Sequence, residues 1–308
     1  MKTWPTKHLI HRFAHGFRQA FHPRLVPGAW IACVIMVLAG CATSPSGGSS
    51  QSVVPEPVVI DDRSIFLKMT SEASQMMDSD VMVDMDTLRA QLEKQLSIHL
   101  DLPEPTPLDP EDARKAITVV GGVYKCNRCT RWHVAPASGF LIAEDMVVTN
   151  YHVVDRPDHA GLVVRLFDGR VLGVQEVLAA SESFDLALLR IPKTGIQPLT
   201  LGLPAPVGAK VDLISHPNQR FYTLSEGKVS RYFLRKYKDT PVPTMSITAD
   251  FGRGSSGAPV LDPSGHVVGI AVSTESLYYS QKDGEQKNLQ MVFKNCVPVA
   301  QLRRLIGG

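Results

Sequence analysis

The residues best equipped for chemistry lie in three short stretches. One is Gly254-Ser255-Ser256-Gly257-Ala258-Pro259, which runs into the apolar pair Val260-Leu261. A serine between glycines, on a tight turn before a strand, can present its hydroxyl as a nucleophile while backbone N–H groups face the developing oxyanion. The same residues are also ordinary turn chemistry, so the serine needs partners before it means anything. Upstream, Val147-Val148-Thr149-Asn150-Tyr151-His152-Val153-Val154 sets His152 at the end of an apolar strand. Imidazole is the side chain whose unperturbed pKa lies near neutrality, the property a general base requires. Between the two, Ser183-Phe184-Asp185-Leu186-Ala187-Leu188-Leu189-Arg190 places Asp185 at the head of a strongly apolar strand. A partly buried acid there can fix an imidazole tautomer and stabilise imidazolium. Singly, His152 reads as a structural histidine, Asp185 as a strand cap or a partner of Arg190, and Ser256 as a turn residue. Together, in the order His, Asp, Ser, they supply a base, an orienting acid and a nucleophile.

The elements that must position them are strands. From residue 117 onward, β-rich runs recur every ten or so residues between Gly, Pro and Asp, including 117–124, 137–142, 146–149, 162–167, 171–179, 186–190, 210–214, 226–232, 244–248, 258–261, 267–272 and 289–293. That cadence predicts an all-β domain. Residues 297–306, apolar and basic before Gly307-Gly308, predict a short C-terminal helix. Ahead of the strands, Asp86 is placed to cap a helix to about His99, with Met85, Leu88, Leu92 and Leu96 as its apolar stripe. The methionines of Met76-Met77-Asp78-Ser79-Asp80-Val81-Met82 read as packing or linker, because no ligand spacing accompanies them. The proline-rich 102–110 reads as a stiff spacer marking a domain boundary.

The formal charge of the 308-residue chain is +2, from 32 basic and 30 acidic side chains. Five of the basic residues (Lys2, Lys7, Arg12, Arg18, Arg24) and none of the acidic ones fall in residues 1–40, leaving 27 against 30, or −3, beyond them. No basic footprint for nucleic acid remains. Residues 1–40 read as a targeting segment, with a basic start and the apolar run AWIACVIMVLA ending at Leu38-Ala39-Gly40-Cys41. Leu-Ala-Gly-Cys resembles the bacterial lipobox, which makes Cys41 the lipidation site and the membrane contact. Ala42 in place of Asp points to the outer membrane facing the periplasm. The alternatives are an ordinary signal peptide or an uncleaved anchor. The Ser/Gly/Pro-rich stretch that follows is a tether. The expected organisation is therefore signal 1–40, tether 41–59, helical extension and spacer 60–110, and β domain 111–308. In an exported chain, Cys126 and Cys129 read as a short-loop disulfide with Cys296 free. The alternative is a metal site of Cys126, Cys129 and His133, with Cys296 as a fourth ligand. The structural reading is preferred, so no metal is expected.

The three stretches, with Ser138-Gly139-Phe140-Leu141-Ile142, His216-Pro217, Ser225-Glu226-Gly227-Lys228-Val229-Ser230 and Gly265-His266-Val267-Val268-Gly269-Ile270, resemble trypsin-like (chymotrypsin-fold) serine proteases, nearest the bacterial HtrA-type branch. The resemblance spans about residues 117–306. It implies a double six-stranded β-barrel, one barrel carrying His152 and Asp185 and the other Ser256, with the amides of Gly254 and Ser256 as the oxyanion hole. Asp250 falls at the family position that often floors the specificity pocket, where pointing inward it would favour Lys or Arg before the scissile bond; because loops in the HtrA-type branch are rebuilt freely, a solvent-facing Asp250 is the preferred reading. Ser273 lies on the substrate-lining strand. Ala258 stands where the family usually has a second glycine, which is tolerable if φ there is negative. Many HtrA-type relatives carry a C-terminal PDZ domain, and the expectation is a branch without it. The implied function is a serine endopeptidase acting on proteins or peptides through an acyl-enzyme, without metal or organic cofactor. The alternative is a dormant protease fold serving as a binding or scaffolding lipoprotein. No oligomeric state follows from these residues.

Overall fold

The computed structural model describes residues 59–101, 103–282 and 285–307. The targeting segment, Cys41 and the tether to residue 58 lie outside the described residues.

The chain after residue 116 folds into two curled antiparallel sheets. The first contains β1 (Ile117–Lys125), β2 (Trp132–Ala143), β3 (Met146–Thr149), β4 (Gly161–Arg165), β5 (Val171–Gly173), β6 (Glu176–Ser181) and β7 (Leu186–Arg190), in the order β5-β4-β1-β2-β3-β7-β6. The second contains β8 (Lys210–Ser215), β9 (Thr223–Tyr237), β10 (Thr240–Ile247), β11 (Pro259–Leu261), β12 (Val267–Lys282) and β13 (Glu285–Pro298), and closes as β10-β13-β12-β11-β8-β9. Its interior is filled by Val211, Leu213, Val229, Met245, Ile247, Val260 and Cys296, as a small barrel requires. The expected six strands are found in this second barrel. The first sheet has seven, because the run expected over 171–179 breaks in two. Val174 donates its N–H to Leu162 O (3.0 Å) and the next residue, Gln175, donates to Arg190 O (2.9 Å). The chain thus steps from the β4 side to the β7 side, and the sheet curls into a half-barrel whose ends are joined by the chain rather than by a ladder.

Helices cover what the half-barrel leaves open. α1 (Asp62–Asp78) starts where the Asp61 carboxylate accepts from Ser64 N at 3.0 Å and buries Met69 and Ala73. Sequence reading did not anticipate this helix. β1 lies under it, and Gly121 allows the approach, since a Cβ there would run into the Met69 methyl. Covered on both faces, β1 is buried at seven consecutive residues instead of alternating.

α2 (Met85–Glu93) is capped by Asp84, which accepts from Thr87 N at 2.8 Å, rather than by Asp86. It ends earlier than expected because Gln95 adopts a left-handed φ of 47°. Met85, Leu88 and Leu92 are buried as the stripe predicts, while Leu96, past the reversal, is 50% exposed. α2 instead closes the β6 edge: Gln91 Oε1 accepts from Val177 N (2.8 Å) and Leu96 O from Ala180 N (3.0 Å). Unpaired edge groups are thereby satisfied by side chain and loop.

Ile98 and Leu100 then donate their amides to Leu305 O and Ile306 O at the end of α5 (Val299–Leu305), and Leu108 N bonds Ser264 O. α3 (Pro110–Lys115) leads into β1. Residues Pro57–Gly308 form one compact unit, so the segment ahead of the strands docks on them.

Leu88→Ala is expected to lower unfolding free energy in urea by about 2–5 kcal/mol, as buried leucine truncations do. Leu96→Ala should change it by less than about 0.5 kcal/mol. Equal effects would contradict this account of α2.

Candidate active site

α4 (Tyr151–Val154) is a single turn at the end of β3, and it holds His152 at the surface with its side chain 49% exposed. Asp185 closes the turn before β7 with φ of 57°, a left-handed conformation that aspartate adopts more readily than most residues. Asn150 Nδ2 donates to Asp185 O at 2.8 Å and secures that turn. The Asp185 carboxylate then accepts twice from one residue, from His152 N at 3.0 Å and from His152 Nδ1 at 2.7 Å. With its proton on Nδ1, the imidazole keeps Nε2 as a free acceptor, which is the tautomer a general base needs. The base and the acid are joined as their positions predict.

Ser256 lies between the sheets. Its Oγ donates to Val272 O at 3.3 Å, and no hydrogen bond joins it to His152. Base–nucleophile contacts are often unmade without substrate, and a rotation about χ1 moves a serine hydroxyl between acceptors.

The turn around Ser256 is defined by its carbonyls. Gly252 O accepts from Ser255 N (2.9 Å), Arg253 O from Asn218 N (2.7 Å), Gly254 O from Ser138 Oγ (2.9 Å), Ser255 O from Ala258 N (3.0 Å) and Ser256 O from Ser138 N (2.9 Å). All five consecutive carbonyls are occupied. The amides of Gly254 and Ser256, by contrast, donate to no acceptor among the described residues. Carbonyl and N–H of a trans peptide point in opposite directions, so tying Arg253 O to Asn218 turns the Gly254 N–H to the other side. Two free donors flanking a serine are the parts of an oxyanion hole. Gly254 has φ of 98° and Gly257 of 89°, both in the region that favours glycine. A Cβ on Gly257 would also collide with Ser138 O, and one on Gly254 with His216 O. Ala258 is absent from the positive-φ residues, so its methyl group is accommodated.

Two residues outside the turn, Ser138 and His216, support it. Ser138 is fully buried in β2 and uses every polar atom. Its Oγ also accepts from His216 N at 3.2 Å, and its carbonyl accepts from Thr149 Oγ1 at 2.8 Å. His216 is fully buried. Its Nε2 pairs with Thr118 O (3.1 Å) and its Nδ1 accepts from Tyr222 N (3.0 Å). Nothing in the local sequence distinguishes these from ordinary strand and loop positions, because their partners are about 100 residues away in the chain.

Asp250, the candidate specificity residue, takes the solvent-facing orientation and does not floor a pocket. Its side chain is 89% exposed and meets Lys294 Nζ at 3.3 Å, while its backbone carbonyl accepts from Ser225 Oγ. Ser273 is exposed on β12 and borders a shallow depression with Phe184, Val272 and Asn295. Cys126 and Cys129 are not joined: their sulfurs are 3.4 Å apart, so the expected disulfide is not formed. His133 Nε2 lies 3.0 Å from Cys129 Sγ, whereas Cys296 is buried inside the second barrel and is no part of that cluster.

The fold is the chymotrypsin-like double β-barrel. A crystal structure of the active form of the Rv3671c protease from Mycobacterium tuberculosis superposes with a TM-score of 0.50 at 23% identity, over 69% of this chain and 93% of that one. Residues 137–270, which contain His152, Asp185 and Ser256, match the trypsin-like peptidase domain family. Over 136 residues the chain is 33% identical to a probable periplasmic serine endoprotease, DegP-like, of Halomonas elongata, covering 43% of this chain and 28% of that protein. Over 142 residues it is 31% identical to the anti-sigma-I factor RsgI9 of Acetivibrio thermocellus, covering 44% and 19%. The chain thus spans between about a fifth and under a third of the length of these curated relatives.

Burial holds the His216 imidazole down at about 4, and that of His159, whose ring nitrogens are buried without partners, also at about 4. In the unfolded chain both protonate near 6.5. Between these values the unfolded state binds more protons, so stability is fully present above about pH 6.5 and is lost as pH falls towards 4. For His216 the loss is on the order of 3 kcal/mol, since a proton on Nδ1 would face the Tyr222 N–H. Denaturation midpoints of the wild type should fall through this window, and His216→Gln should show a shallower fall. Identical slopes would contradict the role given to His216.

Proposed function

We propose that the chain is a serine endopeptidase of the bacterial envelope that cleaves proteins or peptides through an acyl-enzyme. The observation that carries this reading is the turn at Ser256, where every carbonyl from Gly252 to Ser256 is tied and the Gly254 and Ser256 amides are left free. The paired His152 and Asp185 support it further.

In this mechanism Ser256 rotates from Val272 O to His152 Nε2 and attacks the scissile carbonyl as Nε2 takes its proton. Asp185 holds Nδ1–H and stabilises the imidazolium. The amides of Gly254 and Ser256 bind the oxyanion, a contact whose loss costs roughly 3–4 kcal/mol. His152 then gives the proton to the leaving amine, and water enters by the same route in reverse to release the acyl group.

The periplasmic endoprotease among the relatives supports an envelope location. A lipid on Cys41 would hold the domain at a membrane surface, with the outer membrane and its periplasmic face as the proposed site. One observation favours a second reading, a dormant protease fold that binds rather than cuts: the Ser256 hydroxyl rests on Val272 O and not on His152.

A fluorophosphonate probe separates the two. The wild type should be labelled, Ser256→Ala not at all, and His152→Ala slower by at least a thousandfold. Ser138→Ala leaves the Gly254 carbonyl without its buried donor and should slow labelling roughly tenfold. Folded wild type that takes up no label would establish the dormant reading instead. For the anchor, Cys41→Ser should abolish incorporation of labelled fatty acid, and a label that persists would refute lipidation at Cys41.

A further inference from the structure

The hairpin between β1 and β2 gathers three soft donor atoms at its tip. Cys126 and Cys129 occupy the turn Cys126–Arg131, and His133 is the second residue of β2, opposite Tyr124. Cys126 Sγ lies 3.4 Å from Cys129 Sγ, which lies 3.0 Å from His133 Nε2, and all three ligand atoms fall within 4.8 Å of one another. A disulfide would account for two of these groups and leave His133 unexplained.

We propose that Cys126, Cys129 and His133 form a metal site for a thiophilic, tetrahedral cation of the zinc(II) type, with the fourth position open to solvent.

Distances fit with little movement. Zn–S of about 2.3 Å and Zn–N of about 2.05 Å at tetrahedral angles place the two sulfurs about 3.8 Å apart and sulfur and nitrogen about 3.6 Å apart. The two sulfurs need to spread by about 0.4 Å and Cys129 Sγ and His133 Nε2 by about 0.6 Å, whereas a disulfide of about 2.05 Å requires the sulfurs to close by more than 1 Å. Charge fits as well. Two thiolates, one neutral imidazole and a divalent cation sum to zero, so the basic residues around the site, Lys125, Arg128 and Arg131, do not oppose the loaded centre. The intermediate burial of all three ligands leaves room for a water as the fourth ligand.

Side chains around the site tie the hairpin to its surroundings. Trp132 donates its indole N–H to Asp78 at the end of α1 (2.9 Å), Lys125 Nζ lies 4.2 Å from the centre of the Trp132 ring, and the Tyr124 ring lies 5.5 Å from that of His133. A metal here would lock the hairpin tip that receives the C-terminal end of α1. The site lies outside the His152, Asp185 and Ser256 constellation and owes nothing to the proposed protease activity.

The test uses the full chain, reduced with a phosphine and stripped with a chelator, then titrated with Co2+ and Zn2+. Binding should produce thiolate-to-cobalt charge-transfer absorption that one equivalent of Zn2+ removes, and native mass spectrometry should show one zinc per chain. Cys126→Ser should abolish both signals. His133→Ala should weaken zinc binding by more than the roughly 10–100-fold that loss of an outer-shell partner costs. Cys296→Ser, in the second barrel, should change neither. Reduced protein that takes up no stoichiometric metal, or a Cys126–Cys129 disulfide that forms in air despite zinc at saturating concentration, would overturn the proposal.

Discussion

Ser138 ties the Ser256 turn to the first sheet. It belongs to β2 of the first sheet, yet two of its atoms bind carbonyls on either side of the proposed nucleophile in the second: its hydroxyl holds Gly254 O and its amide holds Ser256 O. Its carbonyl accepts from Thr149, next to the turn that carries His152, and its hydroxyl also accepts from the amide of His216, whose loop returns through Asn218 to Arg253 O. A buried carbonyl that loses its donor costs about 1–3 kcal/mol, so each bond also prevents a specific misorientation. The conformation of the Ser256 turn therefore depends on a residue more than 110 positions earlier in the chain.

The same economy appears in the way the half-barrel is completed. A curled sheet that does not close by hydrogen bonding exposes edges, and exposed edges pair with whatever strand arrives. Here the β6 edge is taken up by Gln91 and Leu96 from the α2 segment, and α1 covers β1 through the gap at Gly121. The segment ahead of the strands is thus part of the protease-like body rather than an appendage, and its α2 packs beside α4, the turn that carries His152. It also brings Asp62 to the amide of Phe221 at 2.8 Å, in the loop that His216 begins. α1 and the Ser256 turn accordingly share the loop between β8 and β9 as a neighbour.

The histidines show how environment decides chemistry for one residue type. His152 is half exposed and paired with a carboxylate, leaving one nitrogen free to act. His216 is wholly buried with both nitrogens committed, one to a carbonyl and one to an amide, and burial keeps it neutral down to about pH 4. His133 faces thiols. Residue identity is the same in all three, and the partners are supplied by different strands.

Much of this was written in the sequence. Strand positions follow from alternating and continuous apolar runs, which depend on neighbours two residues away. The pairing of His152 with Asp185 was legible because each stands at the end of an apolar strand in motifs with characteristic flanks. Gly254 and Gly257 announced a turn requiring positive φ, and three of the four stripe residues of α2 are buried as their spacing indicates. What the chain alone could not convey are features set by contacts distant in sequence. The helix over residues 62–78 has a weak apolar face and takes its stability from docking on β2, β4 and β5, so no local pattern reveals it. The clamp by Ser138 and the split of the 171–179 run depend on which backbone groups remain unpaired after the sheets have formed. Side-chain type and spacing determine what a residue is able to do, and only the folded chain decides which partners lie within hydrogen-bonding distance, because that reach is about 3 Å while the partners are separated by up to 159 residues.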